Sequence, residues 1–319
     1  MTQKLNHPLT GARILTPAEA KSVDIGPLRK LIGKWQGLVP KNQGLIASGW
    51  NVISVPGPGV PDFTYEVIPY TENLTFSPAV IQAGNRGPVI DGNQIDQNIY
   101  GLMYEQEIIS ACPADAFSST RGFIAGTPIH AETGLILLLG TPNGGYNIAR
   151  LATIPHGNAL LALGASSGQD NPGTGFIPAA SAIPTNLDGS HVSLLDYVQQ
   201  ITPNSQFPGI FNQVNPNTFL TSTLESVVGP AGKITSMTTF EMDTRAANTD
   251  GGILNIPFIS NNVSATSMKA IFWVEEIEGG TEKELLQYTQ TINLVFPPAG
   301  LSLPIVWPHI TVNTLIRAR

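Results

Sequence analysis

The chain is expected to be all-β, an antiparallel meander with long loop insertions and short helices. Three observations predict this. The 319 residues include 32 glycines and 26 prolines, a turn-rich composition that still falls short of the level that signals disorder. Runs dense in Val, Ile, Thr and aromatic residues recur between those turn residues. Where a run is long enough to test, apolar residues alternate with a period of two.

Taken in order, Thr16-Pro17-Ala18-Glu19 reads as a helix opening, with Thr16 as N-cap, Pro17 at the first helical position and Glu19 placed to close a capping box. A second helical turn is expected over 28–33, before Lys34-Trp35-Gln36-Gly37 starts a strand. Further strands are expected over 45–55, 63–70, 72–76, 102–110, 135–139, 146–154 and 159–164, then over 233–243, 264–277, 283–295 and 305–316. In 268–276, Met268, Ala270, Phe272 and Val274 form one face and mark the buried side. In the last strand His309, Thr311, Asn313 and Leu315 share the more polar face, opposite Ile310, Val312, Thr314 and Ile316, and periodicity does not say which face is inside.

Between the two groups of strands, 166–223 is rich in Asn, Pro, Gly and Ser, with one short helix expected over 193–201. So long a connection is uncommon in a compact domain, and it is read as a lid-like insertion. The domain organisation is then an N-terminal extension over 1–28 and a single domain over 29–319.

Composition excludes several classes of function. Sixteen basic and 23 acidic residues leave a charge of −7 with no Lys/Arg stripe, which argues against nucleic acid. Cys112 is the only cysteine, so no internal disulfide forms and a reducing compartment is favoured. No stretch approaches the apolar length of a membrane helix, and 1–16 lacks the apolar core of a secretory signal. A soluble, cytoplasmic protein without a membrane partner is expected.

Four segments carry candidate chemistry. In His130-Ala131-Glu132-Thr133-Gly134, His130 and Glu132 are two residues apart, so on a strand they point into one space. A carboxylate beside an imidazole orients it and favours its charged form, as acid/base work on a bound ligand requires. The plainer reading is an exposed His and Glu at a strand edge. His156, in Ile154-Pro155-His156-Gly157, sits in a turn that presents it at a rim or in water. His309 stands on the final strand. His7 and His191 are expected in solvent.

Zinc is disfavoured because no H-x-H or H-E-x-x-H occurs, and a Walker loop is absent. Gly164-Ala165-Ser166-Ser167-Gly168 matches G-x-S-x-G but is followed by Asn171-Pro172-Gly173, which would break the helix a nucleophile elbow needs. Haem asks less, because one proximal imidazole with an otherwise apolar pocket suffices.

Taken together, Leu31-Ile32-Gly33-Lys34-Trp35-Gln36-Gly37, the H-A-E-T-G segment, I-P-H-G and the closing H-x-x-V-x-T-L-x-R over 309–317 resemble, in the same order, the haem-binding β-barrels of the nitrobindin and fatty-acid-binding-protein-like group of the calycins. This resemblance implies an up-and-down antiparallel barrel of about ten strands with haem b in its mouth. By carry-over His309 is the proximal iron ligand, His130 and His156 lie near the other face or rim of the haem, and Trp35 packs at the base. The chain departs from the group at Val39, where a glycine is usual, and by extra length at 41–61, 79–98 and 166–223. The expected function is peroxide, nitric oxide or peroxynitrite handling with Glu132 orienting His130. The alternatives are a haem carrier or sensor without turnover, and a metal-free binder of apolar small molecules. Partners are haem and such a ligand, with self-association left open.

Overall fold

The computed structural model describes residues 11–39, 47–56, 63–87, 89–111, 124–143, 146–154, 157–192, 212, 214–245, 251–260, 263–296 and 304–318. The strands are β1 Gly11–Ile14, β2 Gly33–Gly37, β3 Gly49–Pro56, β4 Phe63–Ala83, β5 Val89–Ile90, β6 Asn93–Gln94, β7 Gln97–Ser110, β8 Pro128–Asn143, β9 Tyr146–Ile154, β10 Asn158–Asp170, β11 Thr185–Asn186, β12 Lys233–Asp243, β13 Gly252–Asn255, β14 Ser264–Glu278, β15 Glu284–Val295 and β16 Ile305–Arg317.

Starting from β4, the antiparallel wall runs through β2 and β3 (placed end to end), then β16, β15, β14, β12, β10, β9, β8 and β7. Pairing of β7 with β4 closes a ten-stranded barrel. Closure removes the open edges on which another chain could pair. β4 is a single strand where two were expected, and it runs through Pro69 and Pro78. A proline cannot donate to a ladder, but its carbonyl still accepts: Pro69 O receives Ala111 N and Pro78 O receives Leu15 N, each at 2.8 Å. β8 extends well to either side of the apolar core 135–139 and takes in His130 and Glu132. β10 continues to Asp170, so the G-x-S-x-G match lies on a strand and not in the loop where it was expected.

One end of the barrel is closed from the N-terminal side. The capping box forms as expected, with Thr16 N donating to Glu19 Oε2 at 2.9 Å ahead of the helix Pro17–Ser22. A 3-10 turn, Gly26–Leu31, then seats Leu28 and Leu31 in the main core beside Trp35. Trp35 Nε1 donates to Leu31 O at 2.8 Å, and the Arg317 guanidinium lies 4.0 Å from the Trp35 ring centroid. Gly33 has φ 123°, and a Cβ there would stand 2.8 Å from Arg317 Nη1, so the opening and closing motifs meet at this base. Residues 11–28 therefore contribute to the barrel core.

A second apolar layer lies outside the wall. The helix Asn217–Val228, absent from the expected elements, sets Phe219 and Leu220 against Trp50, Trp273, Ile310 and Val312, and sets Leu224, Val227 and Val228 against Ile234, Ile277 and Leu285. The described parts of the expected lid thus cover the outer face of β3, β16, β15, β14 and β12. Apolar residues on that face, such as Ile271 and Trp273, need this cover because the barrel interior is already occupied from the other side. The helix expected over 193–201 lies outside the described residues, as does Cys112.

Candidate functional site

Strand alternation decides what faces the interior. On β4 the inward set includes Tyr70, Glu72, Leu74 and Phe76; on β7, Tyr104 and Gln106; on β8, His130, Glu132 and Ile136. On β15 and β16 the inward pairs are Tyr288 with Asn313, Gln290 with Thr311 and Ile292 with His309. The polar face of the last strand is therefore the inner one, and Ile310 and Val312 face the outer layer.

Two carboxylates are buried in the interior. Glu132 Oε1 accepts from Arg150 Nη2 at 2.6 Å and from the Tyr104 hydroxyl, and Arg150 Nε donates to the same hydroxyl at 2.9 Å. Arg150 Nη1 donates to Gln290 Oε1 at 2.8 Å, spanning the interior from β9 to β15. His130 Nε2 stands 3.5 Å from Glu132 Oε2. Gly134, the glycine of H-A-E-T-G, makes room for this arrangement: a Cβ there would sit 2.7 Å from the Tyr104 ring and hydroxyl. Burial pushes the Glu132 carboxyl up, but the charge of Arg150 and the contacts of His130 and Tyr104 outweigh it and bring its pKa down to about 2.

Glu72 is the second. Its Oε1 accepts from Gln106 Nε2 at 2.7 Å, and its Oε2 from the Tyr288 hydroxyl at 2.7 Å and Asn313 Nδ2 at 2.5 Å. The Tyr70 hydroxyl lies 3.1 Å from that of Tyr288 and donates to Val312 O at 3.0 Å. Burial raises the Glu72 pKa despite these donors and a favourable charge at His130. Burial likewise pushes the Tyr70, Tyr104 and Tyr288 hydroxyls up. One carboxylate is thus held ionised by an arginine, while the other is pulled towards its acid form. Environments that separate two carboxyls in this way are how one site holds an acid beside a base.

The interior around Leu74, Phe76, Tyr104, Gln106, Ile136, Arg150 and Phe272 is filled but for a void of about 10 Å³. That leaves room for about one water at most. His130 and His309 lie on the side of this filled layer away from the Trp35 base, His130 one inward position beyond Glu132 and His309 two beyond Asn313. His309 is half-buried, with Ile292 opposite it.

The expected pairing of His130 with Glu132 is therefore present and faces inward, and the edge reading does not apply to Glu132, which is 1% exposed. His309 faces the same interior. His156 lies outside the described residues. His191 is exposed, as expected, at the rim of a cavity of about 710 Å³ between 178–191 and the outer face of β14 and β15. Motif reading missed Arg150, Tyr104, Glu72, Gln106, Tyr288 and Asn313. The signal was available in Ile148-Ala149-Arg150-Leu151-Ala152, where an arginine occupies an otherwise apolar alternating face. Among the described residues, no three His, Cys, Asp or Glu side chains form a metal-binding group, and no helix is long and apolar enough to cross a membrane.

No protein-family model matches the chain. No curated protein matches it. Among solved structures, Rv2717c from M. tuberculosis is similar at 15% identity and a TM-score of 0.40, over 93% of this chain and 100% of that one.

Proposed function

We propose that the barrel holds haem b at the end where His130 and His309 face inward, with His309 as the iron ligand, and that it acts on peroxide or a reactive nitrogen species. The observation that carries this reading is the division of the interior. A filled layer that mixes Arg150, Tyr104 and Gln106 with apolar side chains occupies mid-barrel, and two imidazoles face inward beyond it from β8 and β16. The donor chemistry fits: one imidazole on a wall with Ile292 opposite is sufficient for haem, which needs a single proximal ligand and apolar surroundings. The likeness of the four motifs to the nitrobindin group names haem as the ligand.

His309 would hold the haem, which when bound would supply an iron able to bind and activate a small ligand. The chain's own contribution starts at Arg150, which keeps Glu132 ionised. Glu132 Oε2, 3.5 Å from His130 Nε2, orients the imidazole towards the interior, where it would exchange a proton with the ligand. Glu72, Tyr288 and Asn313 form the floor beneath, fixing β4, β15 and β16 relative to one another.

The test is purification from haem-supplemented cells. A Soret absorption band in the wild type that is lost or shifted in His309→Ala is the expected result. A wild type with no band, or a band unchanged in His309→Ala, overturns the assignment.

A further inference from the structure

The outer face of β14 carries a carboxylic acid beneath the helix Asn217–Val228. Glu275 pairs with Met237 on β12 and Leu285 on β15, stands between Trp273 and Ile277 on its own strand face, and is wholly buried. Both of its carboxyl oxygens are buried without a well-formed hydrogen bond, the one donor near them being the residue's own backbone N–H. Gln287, diagonal to it on the same sheet face, is equally buried. Its Nε2 donates to Thr314 Oγ1 at 2.7 Å and to Leu220 O at 3.0 Å, so both amide hydrogens are committed towards β16 and the helix. Its Oε1 is not used by these bonds, and that atom too is buried with no donor. One turn beyond Leu220, the Thr223 hydroxyl oxygen is buried without a partner.

The Glu275 carboxyl and the Gln287 amide oxygen are diagonal neighbours on one sheet face, and their oxygens are acceptors that lack a hydrogen, whereas the Thr223 hydroxyl carries its own. A carboxylate there would be a buried charge without compensation, whereas a carboxylic acid supplies the missing donor. We infer that Glu275 is a protonated latch between barrel and helix: its O–H donates to Gln287 Oε1, and loss of the proton loosens the helix Asn217–Val228 from the wall. Among the described residues, no charged group neighbours it on this sheet face, where it stands with Met237, Leu285, Gln287, Trp273 and Ile277. The charged residues of those elements lie elsewhere. Glu225 is exposed, Glu276 pairs with Lys30, Glu241 with Lys269, Lys233 with Glu278 and Glu284 with Arg317. Burial raises the Glu275 pKa well above the usual carboxyl range, which keeps the proton on as pH rises from acid. The wall so covered includes β15 and β16, whose inner faces carry Tyr288, Asn313 and His309.

The sign follows from the raised pKa. Stability is full below the ordinary carboxyl value and falls as pH rises towards the raised native value. The experiment follows thermal unfolding and tryptophan fluorescence of the full chain against pH, since Trp50 and Trp273 lie against Phe219 and Phe176. The wild type is expected to lose several degrees of melting temperature as pH rises, with a one-proton change in fluorescence. Glu275→Gln, whose amide can donate to Gln287 Oε1 but cannot ionise, is expected to lose less melting temperature over the same rise in pH, the remaining loss being that of Glu72, and to lack the fluorescence step. The same pH dependence in both proteins, or a Glu275→Gln protein less stable at every pH, overturns the proposal. Glu275→Leu serves if Glu275→Gln does not fold, and a fluorescence step persisting in it has the same overturning force.

Discussion

Arg150 and Glu132 meet at 2.6 Å inside the barrel, with no more than 3% of either side chain exposed. Removing one partner strands the other as a buried charge. Arg150→Met is therefore expected to cost about 3–5 kcal/mol in denaturant unfolding. Adding Glu132→Gln to Arg150→Met should recover much of that loss. A single mutant within a few tenths of a kcal/mol of wild type would show that the pair is not the tie described.

The pH dependence of this pair has a definite sign. The native Glu132 pKa is lowered from 4.5 to about 2, so its contribution is complete above 4.5 and lost as pH falls towards 2. Acid unfolding of Glu132→Gln in the Arg150→Met background should begin at lower pH than in wild type, as a circular-dichroism titration would measure.

Glu72 acts in the opposite direction. Its raised pKa means that stability declines as pH rises through the native value. Glu72→Leu removes the acceptor for Gln106, Tyr288 and Asn313, at about 1–3 kcal/mol for each buried donor left unmet. It should be strongly destabilised near neutral pH yet show a flatter alkaline limb than wild type.

Gly134→Ala tests why a glycine follows the His130 and Glu132 pair. The new methyl group would lie 2.2 Å from Leu151 O and 2.7 Å from the Tyr104 ring. A loss at the upper end of about 1–3 kcal/mol is expected, because the nearer atom is backbone and cannot swing aside.

For the proposed chemistry, His130→Ala should retain the Soret band while peroxide-dependent oxidation of a dye falls by about 100-fold or more, the usual contribution of a positioned acid/base group. Equal rates in the two proteins would remove His130 from the mechanism.

Much of this was legible in residue order. Thr16 and Glu19 announced their capping box because both partners are local, and β14 showed its inner face because Met268, Ala270, Phe272 and Val274 alternate without interruption. β4 is expected as two strands, 63–70 and 72–76, and only its ladder with β7, unbroken from Tyr70 to Ala83, shows that it is one. The helix Asn217–Val228 was missed because it begins inside a run of Asn, Pro and Thr, and its amphipathic face acquires meaning only against Trp50 and Trp273.

Of the site, the spacing of His130 and Glu132 was visible, but Arg150, eighteen residues on, and Gln290, on the far wall, were not. Their selection depends on barrel closure, which brings β9 and β15 to one interior through hydrogen-bonded neighbours distant in sequence.

The amino-acid order alone determined the strand class and the shared strand face of His130 and Glu132, since each rests on local periodicity, while the place of Trp35 at the base was what the family resemblance implied. Tertiary structure decided which face of β16 is inside, and hence that His309 shares an interior with His130. It also decided that Glu275, on what alternation marks as the exposed face, is buried. The physical reason is the same in both cases: a strand with candidate apolar residues on either side is resolved only when closure of the barrel and docking of the helix settle which face each partner covers.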